Sequence, residues 1–156
     1  MDAYHRGRLR NADNFSVTVK LVTLLGEYMQ TRYGGRYYAK ARNLAGQLSR
    51  AYNDALSEYD VLVMPTTPMK ATVLPGPDAS KEEIVARALE MIANTCPFDV
   101  TGHPAISIPC AMSEGLPVGL MAVGARFAEA LLLRFARACE TSFAPPVGPA
   151  AQVATA

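Results

Sequence analysis

Every non-glycine side chain in Val118-Gly-Leu-Met-Ala-Val-Gly124 is apolar. A strand with no polar face must be paired at its edges and covered on both sides, so this segment belongs inside a layered sheet. Val61-Leu-Val-Met64 makes the same demand as a short, partly β-branched apolar run closed off by Pro65-Thr-Thr-Pro68. Proline there can neither donate to a ladder nor leave its neighbour unrestrained. Ala105-Ile-Ser-Ile-Pro109 reads as a third strand, and Ser113-Glu-Gly-Leu-Pro117 supplies turn chemistry that folds it against Val118–Gly124 as a hairpin. Three strands are few for a sheet whose members are apolar on both faces. The chain therefore reads as part of a larger sheet.

Helical periods fill most of the remainder. From Asn14 to about Arg32 the apolar residues Phe15, Val19, Val22, Leu25 and Met29 recur in steps of three and four, and Gly34-Gly35 stops the run. A second helix, from about Tyr37 to Ser57, sets Ala41, Leu44, Ala45, Leu48, Tyr52 and Leu56 on one face. Lys40, Arg42, Gln47, Arg50 and Asn53 form its solvated side. Ser80-Lys-Glu-Glu83 is a capping box, opening a helix that turns Ile84, Ala88, Leu89 and Ile92 inward. A last helix, about Phe127 to Ser142, buries Leu131, Leu132, Phe135 and Cys139. Cys96 to Pro104 reads as a compact segment set by its two prolines and Gly102. The order is ααβ, αβ, βα, a mixed α/β layer. Residues 1–14, polar and basic, read as a lead-in, 15–143 as the folded part and 144–156, aperiodic and proline-bearing, as a disordered tail.

Composition removes several function classes. The 15 basic residues against 14 acidic ones give a formal charge of +1, which offers no electrostatic reason to expect nucleic acid or an anionic membrane. The longest near-apolar run, Leu116 to Ala125, is broken by Pro117 and two glycines and is too short to span a bilayer. The N-terminus lacks the charged-then-apolar layout of a signal peptide. Three cysteines without a CxxC pair indicate reduced thiols and a cytoplasmic setting. Phosphate-cradling glycine loops are missing too.

Cys96, His103 and Asp99 can be drawn as nucleophile, base and orienting acid, though Pro97 and Pro104 restrict their convergence. Cys96-x6-His103-x6-Cys110 can be drawn as a metal site, a weak pattern without a close ligand pair. The plainer reading makes Cys96 and Cys110 small buried apolar residues. Tyr28, Tyr33, Tyr37, Tyr38 and Tyr52, interleaved with basic residues, read as an aromatic core face with snorkelling basic stems.

Three collinear blocks carry more. Tyr59-Asp-Val-Leu-Val-Met-Pro-Thr-Thr-Pro68, then Asn94-Thr-Cys-Pro-Phe-Asp-Val-Thr-Gly-His-Pro-Ala-Ile-Ser-Ile-Pro109, then Gly115-Leu-Pro-Val-Gly-Leu-Met-Ala-Val-Gly124 closely resemble the C-terminal third of the amidase signature family. The helical segments Leu25-Gly-Glu-Tyr-Met29 and Tyr37-Tyr-Ala-Lys-Ala-Arg-Asn-Leu44 are most similar to that family's bacterial short-chain and aromatic amide hydrolases. The resemblance covers about residues 15–143. It implies an α/β fold that is an incomplete part of the family's mixed β-sheet flanked by helices. It also implies hydrolysis of a small-molecule carboxamide to acid and ammonia, with neither metal nor organic cofactor.

The family's Ser–cis-Ser–Lys triad and its glycine-rich oxyanion loop lie in the other two-thirds. No serine pair occurs here, and Lys20, Lys40 and Lys70 do not match the catalytic position. The resemblance therefore carries over no catalytic residue. Gly102, Pro104 and Pro109 match the Gly-x-Pro-Ala-x-Ser-x-Pro turn and strand. Thr66, Thr95, Asp99 and His103 fall on loops resembling the walls of the family's substrate pocket. For Thr95 and Asp99 the competing role is side-chain to backbone bonding in a tight turn, and for His103 a buried imidazole held by neighbouring carbonyls. The expectation is a fragment inactive alone, whose partner is the missing N-terminal part or a second copy. A non-catalytic module that completes its sheet on another chain is the alternative, and a cysteine hydrolase on Cys96 and His103 a third.

Overall fold

The structure, a computed structural model, describes residues 2–143. The expected disordered tail, 144–156, lies outside the described residues. Contacts divide the described residues into two compact units: one holds residues 2–41 with Leu74–Leu89, the other Arg42–Val73 and residues 90–143.

The first unit is helical. Helix α1, Asp2–Arg10, and a 3-10 turn, Ala12–Asn14, occupy the stretch read as a lead-in. Helix α2, Val17–Tyr33, starts where Ser16 accepts from the Val19 N–H at 3.4 Å and ends as Gly34 takes φ +59. Helix α3, Arg36–Glu58, begins in this unit and continues into the other. Helix α4, Lys81–Glu90, opens on Ser80, whose Oγ accepts from the Glu83 N–H at 3.1 Å. The Glu82 carboxyl is held below its ordinary range by its own backbone N–H and by the Ser80 hydroxyl.

Burial here departs from the periodic reading. Val19, Val22 and Leu25 on α2 are exposed, as is Leu89 on α4, and so are Tyr28, Tyr33, Tyr37 and Tyr38; Ile92, past the end of α4 and in the other unit, is exposed too. Tyr33 meets Tyr28 and Tyr37 edge-on, the latter with centroids 5.0 Å apart, and of the five tyrosines expected on a core face Tyr52 is the one that packs against the core. An amphipathic pattern states which face wants cover, and within this unit, among the described residues, these side chains stay exposed.

The second unit holds the sheet. Strand β1, Leu62–Pro65, pairs antiparallel with β3, Leu116–Val123, and β3 pairs on its other side with β2, Ala105–Ser113. The order is thus β1-β3-β2. A bulge between Pro109 and Ala111 shifts the register, and Glu114 and Gly115, both at positive φ, close the two-residue hairpin. Helix α5, Cys96–Thr101, fills the segment read only as compact, and helix α6, Glu129–Ser142, ends the described chain.

Alternation along β3 divides the core. Ala122 faces Leu132, Ala136 and Cys139 of α6, joined by Ile108 of β2. Met121 and Val123 face Phe98 of α5, with Tyr52 of α3, Leu62 and Met64 packed alongside. The expectation of two buried faces therefore holds for the end of β3. It does not hold for β1: Val63 is 53% exposed, and among the described residues β1 has a strand neighbour on one side only. The result is a mixed α/β fold with a small antiparallel sheet flanked by helices.

Candidate functional site

The loop after β1 and the turn before β2 meet on the Met121 face of the sheet. Thr66 continues β1 and donates its N–H to the Gly119 carbonyl at 2.9 Å. Asn94 donates its side-chain amide to the Pro65 carbonyl at 2.9 Å, tying the approach to α5 against the end of β1. Between these segments lies a cleft of about 260 Å³, lined by Thr66, Thr95, Phe98, Asp99, His103 and Ser107 together with Met121.

Thr66, Thr95, Asp99 and His103, the four residues that sequence points to, all line this one cleft. Thr66 and Thr95 are half-buried, Asp99 is exposed and His103 is buried. Thr95 also bonds back to the Ile92 carbonyl at 3.2 Å, the local turn role that competes for it. Sequence pattern does not mark Ser107 or Gly119. The Ser107 and Thr66 hydroxyls are 2.7 Å apart, and a Cβ on Gly119 would sit 2.7 Å from one oxygen and 2.8 Å from the other. Only a residue without a side chain lets that hydroxyl pair cross β3. The serine of the Gly-x-Pro-Ala-x-Ser-x-Pro motif is the signal that could have found it.

His103 is held by side chains where backbone carbonyls were the expectation. Its Nδ1 lies 2.8 Å from Thr101 Oγ1 and its Nε2 lies 3.0 Å from Asn53 Oδ1. Burial lowers its pKa below the ordinary value, and the Arg126 guanidinium lowers it further. That guanidinium donates twice to the Thr101 carbonyl, at 3.1 and 2.6 Å, and to Ser49 Oγ at 2.6 Å. Asn53, read as part of a solvated face, is exposed as expected and also contacts the imidazole.

Both imidazole nitrogens are engaged by groups other than cysteine. Cys96, expected buried, is exposed, because at the start of α5 the inward position is taken by Phe98. Cys110 is half-buried and directs its thiol to the Val118 carbonyl at 3.4 Å. Among the described residues no group of three or more His, Cys, Asp or Glu side chains is placed to hold a metal ion, and no helix is long and apolar enough to cross a membrane.

Comparison with known proteins supplies the lineage of this arrangement. The model of the Amidase family matches residues 8–133. The chain belongs to the amidase family. It is 50% identical over 133 residues to an uncharacterized protein in the nthA 5' region of Rhodococcus erythropolis, across 85% of this chain and 67% of that one. With the enantioselective amidase of Rhodococcus rhodochrous it shares 46% identity over 134 residues, 85% of this chain but 26% of the relative. Among solved structures, a 6-aminohexanoate cyclic dimer hydrolase superposes with a TM-score of 0.61 at 27% identity. That match covers 84% of this chain and 28% of the other. This amidase-family chain therefore spans about a quarter of the length of two of these three relatives.

Proposed function

We propose that this chain is the C-terminal portion of an amidase that hydrolyses a carboxamide to a carboxylic acid and ammonia. In this reading it supplies sheet and substrate-pocket wall, while the nucleophilic serines and the lysine reside in the part of the enzyme it does not span. The observation that carries the reading is that Thr66, Thr95, Asp99 and His103 line one and the same cleft in a chain of the amidase family. No serine pair occurs in the sequence, so the full chain alone has no activated serine to offer. The enzyme is cytoplasmic and acts on a small amide.

Two measurements test this. Purified chain incubated with simple aliphatic and aromatic amides is expected to release no ammonia above background. Grafted in place of the matching segment of the R. rhodochrous amidase, it is expected to sustain amide hydrolysis, with Asp99→Ala raising KM in the graft. Ammonia release by the chain alone would overturn the division of labour, and an inert but folded graft would overturn the pocket role.

A second reading makes the chain a non-catalytic partner subunit that completes its sheet on another polypeptide. The exposed Val19, Val22, Leu25 and Val63 favour it. A stoichiometric heteromeric complex on purification from its native source, with no longer polypeptide containing this sequence, is its signature.

A further inference from the structure

We propose that His103 is a proton-linked latch on the cleft: neutral and Nε2-protonated, it joins helix α3 to the turn before β2, and taking up a second proton releases it into the cleft. The donors and acceptors fix the tautomer. Asn53 presents Oδ1 to Nε2, and an amide oxygen only accepts, so Nε2 carries the hydrogen. Nδ1 is then the lone-pair nitrogen and accepts the Thr101 hydroxyl hydrogen at 2.8 Å. His103 is 4% exposed, and the two hydrogen bonds use both polar positions of its ring.

Protonation of Nδ1 leaves both partners in reach, since the Thr101 hydroxyl can turn to accept the second N–H. What the site lacks is a counter-charge: neither the hydroxyl nor the Asn53 amide oxygen carries one. The new charge would sit in a buried site already under the influence of the Arg126 guanidinium, whose partners are the Thr101 carbonyl and Ser49. The other titratable groups around the ring are the Tyr52 phenol of α3, with ring centroids 5.7 Å apart, and the Asp99 carboxyl of α5 across the shared cleft. Neither is hydrogen-bonded to the imidazole. The open volume beside the ring is the cleft it lines, so the imidazolium reaches water by turning into that space.

The sign follows from proton linkage. The released ring titrates near its ordinary value of 6.5 and the latched ring below it. As pH falls through 6.5 the released form binds a proton that the latched form lacks, so the latch weakens with acidification and is fully held above that range. Anything that fills the cleft opposes the release by the same linkage. None of this depends on the amide-hydrolase reading, since it concerns the chain's own residues in solution.

Long-range 1H–15N spectra of the labelled full chain test it, with His103→Gln used to separate the signal from that of His5. The expected result is an Nε2-protonated pattern at pH 8, a titration midpoint below 6.5, and Met121 and Thr95 methyl signals that move in step with the imidazole. In His103→Gln those methyl signals stay fixed over the same range. Asn53→Asp, which sets a carboxylate against Nε2, is expected to raise the proton affinity of His103 tenfold or more and move the midpoint above 6.5. An Nδ1-protonated or mixed-tautomer pattern overturns the proposal, as does a midpoint at or above 6.5 in the unmodified chain. Methyl signals indifferent to the titration overturn the link to the cleft. Should Asn53→Asp fail to fold, the spectra of the unmodified chain decide alone.

Discussion

Gly119 shows how much of the cleft depends on an atom that is missing. The Thr66 and Ser107 hydroxyls lie 2.7 Å apart over its Cα, and the β-branched Thr66 has little rotameric room to retreat. Gly119→Ala is expected to lower stability by about 1–3 kcal/mol, the usual range for forcing a methyl into a filled site. Thermal unfolding of the two chains side by side measures this, and an unchanged midpoint would contradict it. Ser107→Ala is milder: it leaves Thr66 one hydrogen bond short at a partly solvated site, a loss of about 0.5–1.5 kcal/mol. Thr66, Thr95, Asp99 and His103 could be named from sequence because they fall on loops that resemble the substrate-pocket walls of the amidase signature family. Ser107 and Asn53 could not. Alternation and helical period say which face a residue occupies but not what lies opposite, and both owe their roles to partners 41 and 50 residues away.

At the scale of elements, the hairpin is where local chemistry and tertiary demand agree best. Ser113 pairs with Leu116 across Glu114 and Gly115, and both turn residues lie in the left-handed region, with φ of 52 and 79. Two-residue turns of this hand follow the twist of the strands they join. Gly115→Ala meets no neighbouring atom, since nothing lies within 4 Å of the added carbon, so its whole effect is conformational. A loss of about 1 kcal/mol is expected, read from denaturant unfolding. Glu114 tolerates the same region as a non-glycine residue and bonds Lys70 from there. Helix α5 is the element that sequence pattern missed. Its six residues are too few to show a period, and Pro97 at the start and Gly102 at the end read equally well as a loop.

For the molecule as a whole, cover decides. The sheet is buried where α5, α6 and the end of α3 reach it, while among the described residues β1 and β2 each keep an unpaired edge and α2 keeps Leu24 69% exposed. Unpaired edges together with apolar helix faces favour association. The purified chain is expected to self-associate with rising concentration, with sedimentation velocity as the check, and a monodisperse monomer across the soluble range would refute it. The sequence implied that a larger sheet was needed, because two-faced strands require neighbours. It could not say which helices would be left uncovered, since periodicity carries no count of available partners.

The strand order has a consequence in time. β2 and β3 are neighbours along the chain and in the sheet, so they can zip from their turn, whereas β1 reaches β3 only after closing a loop of more than 50 residues that contains α4 and α5. Closing a long loop is entropically slower than propagating a hairpin. On refolding, the ladder should therefore form first at the hairpin and last at Leu62–Pro65. The wall that carries Thr66 would then be the final piece of the cleft to set and the first to fray.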